Sequence, residues 1–122
     1  MSSRMSFIEI AKRSAETIEK YRKKLEVHLR TIKKVAEEHF GTDVRVYLFG
    51  SVLRGDYRPQ SDIDVAVVLR RRPSVEERIA FRCKIREELG LFHPFEIHIV
   101  SEDDWKRWYG RFLKGEWREV DE

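Results

Sequence analysis

The sequence is poor in the residues that build covalent or metal-knit scaffolds. One cysteine, Cys83, in 122 residues excludes an internal disulfide framework and a cysteine-built metal site. There are only three prolines and six glycines, and no repeat or low-complexity tract. No apolar run approaches the roughly 18 residues needed to cross a bilayer. The first ten residues, MSSRMSFIEI, lack the apolar stretch and small-residue cleavage site of a secretory signal. These absences lead us to expect a soluble, cytoplasmic, single-domain protein without a membrane association.

What is present is charge and enough apolar surface for a modest core. Charged residues make up 39% and hydrophobic residues 41%, yet the formal net charge is only +3. It is spread as +4 over residues 1–40, +1 over 41–100 and −2 over 101–122. Opposite signs are interleaved along most of the chain, which is the pattern of solvated faces, so on charge alone nucleic-acid binding is the less expected reading and stays open.

Hydrophobic periodicity predicts the elements. From Phe7 to Phe40 there is no proline or glycine, and Ile8, Ala11, Ala15, Ile18, Tyr21, Leu25, Leu29, Ile32 and Ala36 recur at steps of three and four. This is an amphipathic helix, with Ser6 and Glu9 as a capping box and Gly41 as its stop. At 1.5 Å per residue it would reach about 45 Å, so it either breaks or projects towards a partner. Val44–Phe49 and Ser61–Leu69 read as strands, the second with Ile63, Val65 and Val67 on one face and Asp62, Asp64 and Ala66 on the other. Ser74 and Glu77 open a helix to about Leu89, stopped by Gly90. Pro94–Val100 is a third strand. Ser101 and Asp104 start a last helix bearing Trp105, Trp108, Tyr109, Phe112 and Leu113. The expectation is an α+β fold, a small mixed sheet of three to four strands flanked by helices. Residues 1–41 form a helical segment and 42–122 the compact core.

The chemistry concentrates between Phe49 and Val65. Asp62 and Asp64 are two apart on an extended strand, so their carboxylates share a face. Two like charges held that close repel unless a cation lies between them. Mg²⁺ suits such a pair, because it prefers carboxylate oxygens and keeps waters and phosphates in its shell. A merely wet strand face would look the same. Gly50-Ser51 adds a strand end at which backbone N–H groups can approach a phosphate without a Cβ in the way, and Ser51 adds a hydroxyl.

Phe49-Gly50-Ser51, ten residues, then Asp62-Ile63-Asp64-Val65 resembles the signature of the nucleotidyltransferase superfamily typified by DNA polymerase beta. The fuller stretch GSVLRGDYRPQSDIDVAVVL is similar to the minimal nucleotidyltransferases, short prokaryotic proteins often paired with a helical HEPN-domain protein. The resemblance implies two-metal transfer of a nucleoside monophosphate, AMP from ATP, with pyrophosphate leaving. Asp62 and Asp64 would hold two Mg²⁺ ions, for which Mn²⁺ can substitute. A third carboxylate would come from a neighbouring strand. Glu96 is the candidate, since it lies between Phe95 and Ile97 on a strand built for burial, although the family more often places Asp there. Gly50, Ser51 and Ser61 would cradle phosphates, Arg54 and Arg58 would pair with phosphate oxygens, and His98, on the face of Glu96, would orient it or touch substrate.

Other polar residues have plainer readings. Glu102, Asp103 and Asp104 read as N-terminal charges of the last helix. Asp56 caps its own loop, Arg70–Arg72 form a solvated turn, and Cys83 reads as a small core residue between Phe81 and Ile85. No acceptor-binding helical domain follows the third strand, so another chain or a second copy would have to supply that surface, with the long helix and Trp117 as candidate contacts. Two functions stand side by side. One is an enzyme that adenylylates a HEPN-type toxin and so acts as its antitoxin. The other is a nucleotide-binding or non-catalytic module that neutralises its partner by contact. The intact Gly50, Ser51, Asp62, Asp64 and Glu96 favour the first. A third reading, an RNA-end nucleotidyltransferase, lacks its acceptor domain.

Overall fold

The computed structural model describes residues 8, 9, 12, 16, 20, 23–50, 62–109 and 116–121, the side chains of Trp108 and Tyr109 excepted. The expected capping residue Ser6 and the stripe residues Ala11, Ala15, Ile18 and Tyr21 lie outside these residues. So do Ser51, Arg54, Asp56, Arg58, Ser61, Phe112 and Leu113.

Helix α1 spans Leu25–Phe40 and follows Lys24, whose φ of −106° and ψ of 23° leave helical geometry. Its stop is the expected one: Gly41, at φ 103°, donates its N–H to the Glu37 carbonyl. Strand β1 (Arg45–Phe49) follows, then β2 (Ile63–Leu69), helix α2 (Val75–Leu89) and β3 (Phe95–Ser101). A three-residue helical turn, α3 (Glu102–Asp104), continues as a π-type turn over Trp105–Tyr109, and β4 covers Trp117–Glu119.

The sheet order is β3-β2-β1-β4. β1 pairs antiparallel with β2 and with β4, whereas β2 and β3 are parallel. A parallel pair needs a crossover, and α2 supplies it. Ser74 starts α2 with both halves of the capping box, accepting from the Glu77 N–H while the Glu77 carboxylate accepts from the Ser74 N–H. The solvated Arg70–Arg72 turn is held by ion pairs, Arg70 with Asp43 and Arg71 with Glu77.

Alternation along the strands divides the core in two. Val46 and Leu48 of β1, Ile63, Val65 and Val67 of β2, and Ile97 and Ile99 of β3 pack beneath Leu29, Ile32 and Ala36 of α1 and Phe81, Ile85 and Leu89 of α2. On the opposite face Tyr47, Phe49, Ala66 and Val68 gather around Trp105. Tyr47 stacks on the Trp105 indole, 4.7 Å between ring centroids and 7° from parallel. Lys33 of α1 is buried, and its ammonium donates to the Val44 carbonyl at 3.1 Å, tying the helix to the start of β1.

Several expectations change. Cys83 is exposed, not in the core: the buried stripe of α2 runs Phe81, Ile85, Leu89, and Cys83 lies about 200° round the helix from Phe81. The second strand begins at Ile63, leaving Asp62 just before it. The last helix is only a short turn in the described residues. Trp117 belongs to a strand, where it pairs with Phe49 and lies edge-on to Tyr47 at 5.2 Å.

Candidate active site

The strand register builds the site. Phe49 is level with Asp64, and Asp64 is level with Glu96. Extending the row through β4 gives Trp117, Phe49, Asp64 and Glu96 side by side across the sheet. These side chains share the Trp105 face, opposite the two helices, so the carboxylates stand on the face left open by α1 and α2.

His98, two residues beyond Glu96, shares that face. Its Nε2 lies 3.6 Å from Asp64 Oδ1 and 3.8 Å from Glu96 Oε1. The Phe49 ring flanks the imidazole at 5.4 Å between centroids. One ligand atom from each of Asp64, Glu96 and His98 falls within 4.8 Å of the others. Such a set suits a divalent cation, with two carboxylate oxygens and an imidazole converging on one point.

The outcome for each expected residue differs. Asp64, Glu96 and His98 are brought together, with His98 more central than an accessory residue. Asp62 is exposed and lies outside that trio, at the mouth of a cavity that Glu96 and His98 also line. Glu96 reaches the site for a different reason from the one the sequence suggested. Its side chain is 53% exposed rather than buried, because β3 is an edge strand and only its alternate residues face the helices.

Gly50 closes β1 at φ 87° and is buried. A Cβ there would stand 2.4 Å from Asp64 Oδ2. Glycine at this position therefore makes room for the Asp64 carboxylate.

The cavity at this site has a volume of about 550 Å³ and runs along the outer edge of β3. Beyond the acidic end it is lined by Arg82 and Arg86 of α2 and by His93, residues the motif did not indicate. Arg82 donates to the Ile97 carbonyl at 2.9 Å. His93 Nδ1 accepts from the Phe95 N–H at 3.1 Å. Burial, reinforced by Arg86, lowers the His93 pKa below the ordinary imidazole value. The signal that would have found this wall is the spacing Arg78, Arg82, Arg86, which stacks three cations on one helical stripe.

The sequence aligns with a known family over this architecture. The nucleotidyltransferase domain model matches residues 29–119, from α1 through β4. The chain belongs to the nucleotidyltransferase domain family. The superfamily expected from the Phe49–Val65 motif is thus the right one. A crystal structure described as a nucleotidyltransferase is 35% identical to this domain and superposes with a TM-score of 0.62, over 77% of this chain and 98% of that one. Spectinomycin 9-adenylyltransferases of Staphylococcus aureus are 31% identical over 100 residues, 68% of this chain but 38% of theirs. The nucleotidyltransferase domain thus spans well under half the length of these curated relatives. A Methanocaldococcus jannaschii protein named as a protein adenylyltransferase is 47% identical over 34 residues, 28% of this chain and 34% of its own.

Proposed function

We propose that this domain transfers AMP from ATP to a hydroxyl group on a partner protein and releases pyrophosphate, in the manner of a minimal nucleotidyltransferase. The observation that carries the reading is the meeting of Asp64, Glu96 and His98 beside Gly50, with Asp62 at the mouth of the same cavity. The adenylyltransferase names of the two relatives support adenylate as the transferred group.

In this reading the acceptor oxygen attacks the α-phosphorus, the bond to the bridging oxygen breaks, and pyrophosphate leaves with that electron pair. Glu96 is half-exposed, so the acceptor proton has a direct route to water. Asp62, Asp64 and Glu96 would hold two divalent cations, Mg²⁺ or Mn²⁺. When bound, these supply Lewis acidity and neutralise developing charge. His98 orients the Asp64 and Glu96 carboxylates. Gly50, with Ser51 and Ser61, would cradle the donor phosphates, helped by Arg54 and Arg58. We assign the partner as a helical HEPN-type toxin for which this protein is the antitoxin.

The test uses ATP labelled at the α- or the γ-phosphate, with Mg²⁺ and whatever protein copurifies. Label from the α position on a protease-sensitive product is the expected result. Label on a nuclease-sensitive product would replace the protein acceptor with RNA. If neither label moves while the partner stays bound, neutralisation by contact is the better account.

A further inference from the structure

We propose that the arginine-lined groove outside β3 is the docking site for an acidic segment of the acceptor protein. This inference rests on the transfer reading and names the chemistry of its second substrate. Sheet order is the first support. Gly50, the expected donor-phosphate position, ends β1 on one side of Asp64, whereas the groove lies beyond β3 on the other side. Donor and acceptor then approach the carboxylates from opposite directions and need not compete for one surface.

Charge is the second support. Arg45, Arg70, Arg71 and Arg118 each have a carboxylate within ion-pair distance. Among the described residues Arg78, Arg82 and Arg86 have none, although they follow one another at four-residue intervals on α2. Like charges so placed, about 6 Å apart along the axis, destabilise a helix. Burial and the neighbouring Arg78 and Arg86 pull the Arg82 pKa down, which agrees with a surface short of anions. An incoming carboxylate would meet a guanidinium fork at Arg86, and its attraction would relieve the repulsion.

The lining also distinguishes a polypeptide from a nucleic-acid strand. Sequence-tolerant strand binding couples a basic track to exposed aromatic rings on which bases stack. In this groove the rings are buried Phe95 and the half-buried imidazoles of His93 and His98, set among Ile85, Ile97 and Ile99. The stacked pair Tyr47–Trp105, with Trp117, lies on the other face of the sheet from the helices. An acidic peptide needs only guanidinium groups and an apolar floor.

The test uses the full chain and two fluorescein-labelled random copolymers, one of glutamate and tyrosine, the other of lysine and tyrosine. Binding is read by fluorescence anisotropy, and transfer by label from α-labelled ATP with Mg²⁺. The Glu/Tyr copolymer should bind and become labelled, and the Lys/Tyr copolymer should do neither. Arg86→Glu should weaken Glu/Tyr binding at least about tenfold, while Arg86→Lys, which keeps the charge, should retain most of it. The α2 cap bond is accepted by the Arg86 backbone carbonyl, which both substitutions keep, and Arg86→Lys also keeps the positive charge of the last turn. Equal binding by the wild type and Arg86→Glu would overturn the groove, and continued labelling would leave the transfer reading intact. Binding of a single-stranded oligonucleotide in preference to Glu/Tyr would also overturn it. Charge-dependent Glu/Tyr binding with no α-label on any protein would sustain the groove and overturn the transfer reading.

Discussion

Gly50 and Asp64 define each other's positions: a methyl group on Gly50 would lie 2.4 Å from Asp64 Oδ2. The carboxylate occupies the space that a side chain on the preceding strand would take. The Gly50 backbone, at φ 87°, adopts a conformation that other residues reach only with strain.

Gly50→Ala should therefore damage the site more than the fold. Left-handed strain costs about 1–2 kcal/mol, whereas displacing a reacting group by about 1 Å can cost about a hundredfold in rate. Thermal unfolding and α-label transfer, measured together, separate the two. In an Asp64→Ala background the clash is gone, so Gly50→Ala should then cost only the backbone strain, and the stability effects should not add. Additive effects would show that the collision is relieved elsewhere.

Asp62→Asn tests the exposed carboxylate. It removes one charge at the mouth of the cavity and keeps the shape of the side chain. Because Asp62 is exposed, stability should change by no more than about 0.5 kcal/mol. Transfer should fall by about 10²–10³-fold, the scale seen when a preorganised electrostatic group is lost. Unchanged turnover would remove Asp62 from the site.

These residues show which parts of the site were legible in the sequence. Asp64 and Gly50 were legible because a two-residue period and a strand-ending glycine are local properties. Glu96 is marked by its place between Phe95 and Ile97, which suggests burial, but nothing local to β3 says that it is an edge strand where Glu96 stays half-exposed. Cys83 was misplaced because its apolar neighbours in sequence, Phe81 and Ile85, lie on another side of the helix. β4 escaped notice because a three-residue strand has no period of its own and exists only through its pairing with β1. The arginine wall was visible as a spacing, but its meaning required the β3 edge beside it.

The Asp64–Glu96–His98 cluster should make stability depend on divalent ions. An ion that binds the folded chain alone stabilises it by about 2.7 kcal/mol when present at a hundred times its dissociation constant. Titrating Mg²⁺ or Mn²⁺ into chelator-treated protein should raise Tm progressively. Asp64→Asn and Glu96→Gln should each blunt the response. Because His98 contributes an imidazole, His98→Ala should weaken the response to Mn²⁺ more than to Mg²⁺. A Tm indifferent to both ions would show that the cluster holds neither.

The start of α2 should confer an acid-sensitive contribution to stability. Glu77 accepts from Arg71 at 2.6 Å and 2.9 Å and from the Ser74 N–H at 3.0 Å. These bonds, with Arg71 the largest cause, lower its pKa from 4.5 to about 2. A carboxylate with a depressed folded pKa binds protons more readily in the unfolded chain. Its stabilisation is therefore complete above about pH 4.5 and is lost as the pH falls towards about 2. The Tm difference between the wild type and Glu77→Gln should be constant near neutral pH, shrink through that window and vanish at its acid end. Glu77 lies at the surface with its side chain 29% exposed, so added salt should narrow the difference. Ser74→Ala removes the other half of the cap and should cost about 1 kcal/mol with no comparable pH profile of its own. A Glu77→Gln difference that persists unchanged to pH 2 would mean that the cap acts through hydrogen bonds the amide reproduces poorly, and not through the ion pair with Arg71.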